Sequence, residues 1–276
     1  MLINNKAYIN KCTDIGKSPL NIACQEGHTE VVQMLINNKA YINKCTDIGE
    51  SPLFIACQEG HTEVVQILIN NKAYINKCTN IGESPLYIAC LNEHTEVVQI
   101  LIKNNANINK CKDKDVSPLL ISCHEGHVEV VRMLINNNAD IEKCNDIEVS
   151  PLCMPCYRGH TELIQMLINS KADINKCDDK EVSPFFIACH EGHTEVVQML
   201  INNKADINKC DYDEVSPLFI ACQEGHTEVV HILINNKADI NKCMNTGVSP
   251  LLMACLKGYT QLVELLINND ADTFVN

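Results

Sequence analysis

Tryptophan is absent from this 276-residue chain, and only 4% of its residues are aromatic although 46% are hydrophobic. A globular enzyme of this size usually fills its core with more large rings. Small and branched aliphatic side chains instead suit a thin layer between neighbouring helices. The composition is therefore not that expected for the core of a globular enzyme.

Basic residues are also scarce, which bears on the class of partner. The chain has 22 Lys and Arg against 35 Asp and Glu, a formal net charge of -13. Phosphate binding needs clustered Lys and Arg, and an anionic membrane surface attracts the same side chains. We therefore expect binding neither to nucleic acid nor to a membrane, whereas an acidic balance is compatible with a basic protein partner.

Long apolar runs, secretory signals and Asn-x-Ser/Thr sequons are missing as well. No stretch approaches the roughly 18 apolar residues that span a bilayer. The N-terminus lacks the basic region, apolar core and cleavage site of a secretory signal. These absences predict an intracellular protein, cytoplasmic or nuclear, or located in a host cytosol if the chain is an effector.

A 33-residue repeat organises the whole chain. Every Ser-Pro pair is 33 residues from the next, at Ser18, Ser51, Ser84, Ser117, Ser150, Ser183, Ser216 and Ser249. We predict one domain over residues 1–276, with a partial repeat at 1–12 and eight full repeats at 13–45, 46–78, 79–111, 112–144, 145–177, 178–210, 211–243 and 244–276. No linker interrupts the series.

Each repeat carries the signals of two short helices. Ser51 is a helix N-cap and Pro52 fits the first helical position. Gly60 separates this helix from a second one that starts near Thr62, and we expect Asn70 and Asn71 to end it because Asn tolerates the left-handed conformation. The polar stretch that follows predicts a hairpin loop projecting sideways.

Such helices are too short to be stable alone, but stacked copies bury each other's apolar faces. The pattern therefore predicts an all-α fold, an α-solenoid of helix-turn-helix pairs. At a helix packing distance of about 10 Å, eight pairs would form a curved, elongated rod about 80 Å long.

The repeated phrases Ser-Pro-Leu-x-Ile-Ala-Cys, Gly-His-Thr-Glu-Val-Val and Ala-Asp-Ile-Asn resemble the ankyrin repeat, whose pattern is Thr-Pro-Leu-His-x-Ala-Ala, Gly-His-x-Glu-Val-Val and Gly-Ala-Asp-Val-Asn. The resemblance covers every repeat. It implies a non-catalytic solenoid that binds a protein on its concave side, against the hairpin tips and first helices.

Three departures from the family pattern predict local differences. First, the His after Pro-Leu is replaced, which we expect to exchange an inter-repeat hydrogen bond for apolar packing; the replacements are Asn21, Phe54, Tyr87, Leu120, Cys153, Phe186, Phe219 and Leu252. Second, the helix-ending Gly becomes Lys39, Lys72 or Asn105, at a cost of up to about 1 kcal/mol per repeat. Third, the hairpin-tip Gly becomes Asp115, Glu148, Glu181 and Glu214, which predicts four less regular hairpins.

Sixteen of the seventeen cysteines fall in two columns. The first takes the place of a small buried Ala of the family, so we interpret it as a small hydrophobe: Cys24, Cys57, Cys90, Cys123, Cys156, Cys189, Cys222 and Cys255. The second stands at the foot of each hairpin: Cys12, Cys45, Cys78, Cys111, Cys144, Cys177, Cys210 and Cys243. Its members should lie about 10 Å apart, too far for disulfides, so we predict free thiols, with redox sensing as the alternative.

Two further motifs resemble chemical sites. Seven of the ten histidines form one column, which cannot assemble a tetrahedral metal site and predicts a structural role near the turn between the helices: His28, His61, His94, His127, His160, His193 and His226.

Cys153-Met154-Pro155-Cys156 has the spacing of a redox motif, but no strand–helix–strand pattern surrounds it, so we interpret it as a coincidence. Pro155 itself predicts a kink or local weakness in the fifth repeat. We expect no catalytic residue, cofactor or metal.

Partner-binding residues are expected where repeats differ, at hairpin tips and at the ends of first helices. Aromatic, Arg and aliphatic anchors dominate interface energies. We therefore predict that Ile48, Ile81, Leu91, Tyr157, Arg158 and Tyr212 contact a protein partner, and that the chain is a monomer.

Two other functions stay open. The chain could be the targeting or adaptor module of a larger enzyme or host-directed effector whose other domain is absent, or an elastic spacer without a specific partner. Met1 matches an internal Met of other repeats, which suggests a fragment, whereas residues 271–276 depart from the repeat phrase as a true C-terminus would.

Overall fold

The computed structural model describes residues 8–271, and within that range the chain has sixteen α-helices and no strand. The helices form eight pairs, one in each 33-residue repeat. They are α1 Pro19–Gln25, α2 Thr29–Asn37, α3 Pro52–Gln58, α4 Thr62–Asn70, α5 Pro85–Leu91, α6 Thr95–Lys103, α7 Pro118–Glu125, α8 Val128–Asn136, α9 Cys153–Arg158, α10 Thr161–Asn169, α11 Pro184–Glu191, α12 Thr194–Asn202, α13 Pro217–Glu224, α14 Thr227–Asn235, α15 Pro250–Lys257 and α16 Thr260–Ile267. The prediction of an all-α fold is confirmed. Met1 and residues 272–276, on which the expectations about the chain ends depend, lie outside the described residues.

The chain divides into two compact units, Met1–Asp140 (unit 1) and Ile141–Asn276 (unit 2). Helices α1–α8 belong to unit 1 and α9–α16 to unit 2. Within each unit, the first helix of a pair packs on the first helix of the next pair, and the second helices pack in the same way. Each unit is therefore an α-solenoid of four stacked helix pairs. The single domain over residues 1–276 and the curved rod stay predictions.

The first helices begin where the Ser-Pro signal predicts. The backbone N–H of Phe54 donates a 3.1 Å hydrogen bond to Oγ of Ser51, and Pro52 occupies the first helical position. The same cap starts α1, α5, α7, α11, α13 and α15. Each cap satisfies one of the N–H groups that a helix start leaves without a partner, which contributes about 1 kcal/mol.

The core is the thin aliphatic layer between stacked pairs. In the second repeat, Leu53 and Cys57 from α3 and Val65 and Leu68 from α4 are at most 1% exposed. Burying a side chain of this kind contributes about 1.5–3 kcal/mol relative to exposing it. Aromatic rings are few in this layer, and the largest fully buried ones are Phe185 and Phe219.

The residues that replace the family's His after Pro-Leu mostly pack as predicted. Six of them are buried and apolar or aromatic: Phe54, Tyr87, Leu120, Cys153, Phe186 and Phe219. Two differ. Asn21 is buried but polar, and its Oδ1 accepts the Ser18 N–H at 3.0 Å in a capping box. Leu252, in the last pair, is 42% exposed.

The second helices end where expected, as at Asn70 in the second repeat, but the left-handed residue lies further along the chain than expected. Asn71 has φ -95°, and the left-handed residue is Lys72, with φ 67°. The Asn71 side chain instead donates from Nδ2 to the carbonyl of Ile67 at 2.9 Å, which satisfies an otherwise free carbonyl at the helix end. The prediction that Asn70 and Asn71 supply the left-handed conformation was wrong, whereas Lys39, Lys72 and Asn105 do occupy the family's Gly position with positive φ.

Three of the four hairpins that lack the tip Gly are regular, so that prediction was mostly wrong. Glu148, Glu181 and Glu214 keep the left-handed φ of about 60° and the same turn hydrogen bond as Gly49. In these hairpins an Asn or Asp three residues earlier accepts two backbone N–H groups on one side-chain oxygen, which stabilises the turn: Asn145, Asp178 and Asp211. The hairpin at Asp115 has Lys112 at that position and forms an irregular 3₁₀ turn instead.

Pro155 shortens the first helix of the fifth repeat. Helix α9 begins at Cys153, although the Ser-Pro pair stands at 150–151, and Pro151 and Leu152 form a turn. The N–H of Cys153 donates to the carbonyl of Ser150 at 3.1 Å, which is the hydrogen bond between residues i and i+3 of a turn. With this late start, Pro155 is the third helical residue, where a helix needs no N–H donor. The predicted local change at the fifth repeat is therefore present as a delayed helix start.

We expect Pro155→Ala to restore a first turn that begins at Pro151 and to stabilise the protein by about 1 kcal/mol. Hydrogen exchange should show weaker protection of α9 than of α11 in the natural chain and equal protection in the variant. The reverse substitution at the matched position in the sixth repeat, Ala188→Pro, should weaken α11. Equal protection of α9 and α11 in the natural chain would contradict the prediction.

Candidate functional site

The histidine column joins successive repeats. In unit 1 the Nε2–H of His94 donates to the carbonyl of Gln58 at 2.9 Å, and His61 bonds in the same way to Gln25. In unit 2 His193 and His226 bond to the carbonyls of Tyr157 and His190. A carbonyl only accepts, so Nε2 carries the proton in each ring. The predicted structural role is supported, and the inter-repeat hydrogen bond comes from these histidines.

Each of these rings also packs on the glycine that separates the two helices of the preceding repeat. A Cβ built on Gly60 would lie 2.6 Å from Nδ1 of His94, and one on Gly192 would lie 2.5 Å from Nδ1 of His226. Glu93 stands at this position in the third repeat, with φ 57°, and its Oε2 is 3.5 Å from Nδ1 of His127. Backbone conformation and the close approach of the next repeat thus both favour glycine here, although the third repeat accommodates Glu93 at this position.

The first cysteine column behaves as buried apolar side chains. Seven of its members are fully buried: Cys24, Cys57, Cys90, Cys123, Cys156, Cys189 and Cys222. Burial raises the pKa of Cys24, Cys90 and Cys222 to about 12, so these thiols stay protonated and unreactive at neutral pH. Cys255, in the last pair, is exposed instead.

The second cysteine column consists of half-buried free thiols. Each described thiol of the column bonds to the backbone carbonyl two residues earlier, as Cys177 does to Asn175 at 3.3 Å. Burial raises the pKa of Cys144, Cys177 and Cys210 above the ordinary value of 9.0. Redox sensors need a lowered thiol pKa, so the redox alternative loses support at these three thiols.

The Cys-x-Pro-Cys spacing does not form a redox site. Cys153 and Cys156 are at most 1% exposed. Burial raises the pKa of Cys153 to about 11 and that of Cys156 well above 9.0. A redox motif needs an accessible thiol with a lowered pKa, so the interpretation as coincidence is supported.

In unit 1, two of the predicted partner-binding residues lie on neighbouring hairpins. Ile48 and Ile81 are 62% and 50% exposed, and the N–H of Asn80 donates to the carbonyl of Ile48 at 3.0 Å, which joins the two tips. Leu91, at the end of α5, is only half-buried, and its carbonyl accepts from His127. The side chains of Ile48 and Ile81 are thus free to contact a partner, whereas the Leu91 side chain is partly buried within the fold.

In unit 2, the predicted residues are all exposed. Tyr157 and Arg158 are the last two residues of α9, and 52% of Tyr157 is exposed. Tyr212 lies at a hairpin tip with 79% exposure, and its N–H donates to the carbonyl of Lys180 on the preceding hairpin. Large aromatic side chains are held at the surface at both positions.

Sequence analysis missed a column of exposed tyrosines in unit 1. Tyr8, Tyr41 and Tyr74 are 83%, 64% and 65% exposed. All three stand in the phrase Lys-Ala-Tyr-Ile-Asn-Lys, for which unit 2 has Lys-Ala-Asp-Ile-Asn-Lys, for example at 204–209. Tyr41 and Tyr74 follow the left-handed residues Lys39 and Lys72. A column-by-column comparison of the repeats would have found the change from Tyr to Asp.

Lysine pairing also differs between the units. In unit 2, Lys209 and Lys242 form ion pairs with Glu181 and Glu214, the residues that replace the hairpin-tip Gly. The ion pair lowers the pKa of the Glu214 carboxyl and raises that of the Lys242 amine.

The balance of charges differs between the units as well. Unit 1 has twelve Lys and Arg and fifteen Asp and Glu, whereas unit 2 has ten and twenty. Unit 2 is thus much more acidic.

Two absences hold for residues 8–271. Within that range, no group of three or more His, Cys, Asp and Glu is placed to hold a metal ion. No helix there is both long enough and apolar enough to cross a bilayer.

Comparison with known families assigns the fold. One family model, described as ankyrin repeats (3 copies), matches residues 1–79, 72–145 and 185–276. A second family model, described as ankyrin repeats (many copies), matches residues 152–201. No curated protein matched the chain. Ankyrin repeats are generally protein–protein interaction modules and are typically non-catalytic. The family matches extend over most of the sequence and agree with the stacked helix pairs, so the chain belongs to the ankyrin repeat family.

Proposed function

We propose that this chain is a non-catalytic scaffold that binds a protein partner, with hairpin tips and first-helix ends on its concave side as the contact surface. The observation that carries the proposal is the exposure of large side chains at positions that vary between repeats. Tyr157 and Tyr212 in unit 2 and Ile48 and Ile81 in unit 1 are all at least 50% exposed. Exposed aromatic and aliphatic side chains on a rigid support are typical binding anchors.

The rest of the proposed function follows from the composition. With a net charge of -13, the chain is proposed to bind neither nucleic acid nor membrane, and to work as an intracellular monomer. The reduced cysteines fit a reducing compartment.

Affinity capture with mass spectrometry tests this function. The bait is the full chain, compared with the double variant Tyr157→Ala/Arg158→Ala. We expect the variant to recover the specific partner about thirtyfold less, because loss of two anchors weakens binding by about 2 kcal/mol.

Gln223→Ala/Glu224→Ala provides the matched control, since these residues end α13 as Tyr157 and Arg158 end α9. The control should retain the partner. If the natural chain captures nothing specific, the elastic spacer is favoured over the scaffold. If both double variants capture the same partner equally, the anchors lie elsewhere.

A further inference from the structure

The turns between the second helices and the hairpins of unit 1 carry an exposed aromatic and basic surface. In the turn at 39–44, Lys39, Tyr41 and Lys44 are all exposed, and the turn at 72–77 repeats the pattern with Lys72, Tyr74 and Lys77. Neither turn contains an acidic residue. We call this surface, together with Tyr8 and Lys11, the tyrosine–lysine ladder.

The lysines of the ladder are free to meet a partner's carboxylates. Within residues 8–271, the ammonium groups of Lys39, Lys44, Lys72 and Lys77 make no hydrogen bond or ion pair. Lys209 and Lys242, the counterparts of Lys44 and Lys77 in unit 2, are neutralised by Glu181 and Glu214. Unit 1 has Gly at the corresponding hairpin tips, so the same lysines lack an internal partner.

The ladder is held in register by the fold. The backbone N–H of Tyr41 donates to Oδ1 of Asn10 at 2.8 Å, and that of Tyr74 donates to Oδ1 of Asn43 at 2.9 Å. Each tyrosine is therefore fixed relative to the preceding turn. Successive tyrosines should be about 10 Å apart, the helix packing distance.

This spacing matches an extended peptide. A polyproline II segment rises 3.1 Å per residue, so side chains three residues apart are separated by about 9 Å. Proline-rich segments of this kind dock on surfaces lined with aromatic rings and lose little entropy on binding. Carboxylates between the apolar residues would meet the unpaired lysines.

We propose that the tyrosine–lysine ladder of unit 1 binds an extended acidic segment of a partner protein, with an apolar residue at every third position. The inference rests on the proposed protein-binding function and adds the chemistry of the partner. Apolar side chains and prolines pack on Tyr8, Tyr41 and Tyr74, and carboxylates pair with the lysines beside them.

Synthetic peptides test the proposal on the full chain. A labelled peptide of four Leu-Glu-Pro units is titrated and followed by fluorescence anisotropy. We expect saturable binding that weakens with salt, and at least tenfold weaker binding of the same peptide with Lys in place of Glu. Equal binding of the two peptides, or no saturable binding of the acidic one, would overturn the proposal.

The two units supply their own matched variants. Tyr41→Asp/Tyr74→Asp converts two turns of unit 1 to the sequence that unit 2 already has, so the fold should tolerate it. We expect about tenfold weaker binding of the acidic peptide, and the same for Lys44→Gln/Lys77→Gln. The control Lys209→Gln/Lys242→Gln in unit 2 should bind within twofold of the natural chain. A control that weakens binding as much as the unit 1 variants would count against the ladder.

Two more titrations distinguish the ladder from a nucleic-acid site and from the surface around Tyr157. A single-stranded oligonucleotide of twelve uridines that binds more tightly than the acidic peptide would overturn the proposal in favour of nucleic acid. Tyr157→Ala/Arg158→Ala should leave peptide binding unchanged. If the peptide fails to bind while capture still depends on Tyr157 and Arg158, only the ladder proposal is lost, and the proposed scaffold function stands.

Discussion

Between pH 9 and pH 10 we expect the protein to lose most of its stability, because eight cysteine thiols are buried in the protonated form. They are Cys24, Cys57, Cys90, Cys123, Cys153, Cys156, Cys189 and Cys222. Burial raises the pKa of Cys24 and Cys90 from 9.0 to about 12 and that of Cys153 to about 11. In the unfolded chain these thiols regain an ordinary pKa.

The direction of the effect follows from proton binding. Above pH 9 the unfolded chain has released thiol protons that the folded chain still holds, so the free energy of unfolding falls as pH rises. The stabilisation is complete below about pH 9 and is lost as the pH approaches the folded pKa values. At pH 10 each thiol lowers the free energy of unfolding by more than about 1 kcal/mol, so eight together lower it by on the order of 10 kcal/mol. This is comparable with the whole stability of a typical domain.

Urea unfolding under reducing conditions, from pH 7 to pH 10.5, measures this effect. A variant with Cys90, Cys189 and Cys222 replaced by Ala, the residue that the family has in this column, provides the control. This variant should be less stable than the natural chain at pH 7. Between pH 7 and pH 10, however, its free energy of unfolding should fall by about three-eighths less, because three of the eight buried thiols are absent. Equal pH dependence in the two proteins would mean that the buried thiols do not cause the alkaline unfolding.

The second large effect is expected at a glycine between helices. Gly192→Ala should destabilise the protein by about 2–3 kcal/mol. The position has φ 75°, which costs an L-residue about 1 kcal/mol or more. The new Cβ would also lie 2.5 Å from Nδ1 and 2.8 Å from Cγ of His226. Because Cγ is close to the histidine backbone, the ring cannot move aside without losing its 2.8 Å bond to the His190 carbonyl.

Gly258→Ala separates the two causes. Gly258 has the same φ of 75°, but a Cβ there would have no neighbour within 4 Å. Thermal unfolding should show a loss of only about 1 kcal/mol for this variant. In a His226→Ala background, Gly192→Ala should cost no more than Gly258→Ala does. Equal costs of the two glycine substitutions in the natural chain would show that the histidine contact has no energetic role.

Local signals allowed most of the fold to be predicted. Ser51 and Pro52 mark a helix start through contacts within four residues, and all but one of the eight Ser-Pro pairs begin a helix at the proline. Pro155 accounts for the exception, and its effect was anticipated because a proline acts on its own turn. The site was predicted less completely. Ile48, Ile81, Tyr157, Arg158 and Tyr212 are exposed, but Leu91 is half-buried and the tyrosine column was overlooked.

By itself the sequence determined the repeat, the helix pairs and the columns, because a 33-residue period and helix caps are properties of neighbouring residues. Only the tertiary structure decided which atoms meet between repeats. His94 bonds to a carbonyl 36 residues away and Lys209 pairs with Glu181, whereas Lys44 has no partner among the residues that the structure describes. Such contacts depend on how one helix pair stacks on the next, and that geometry brings together residues that are distant in the sequence.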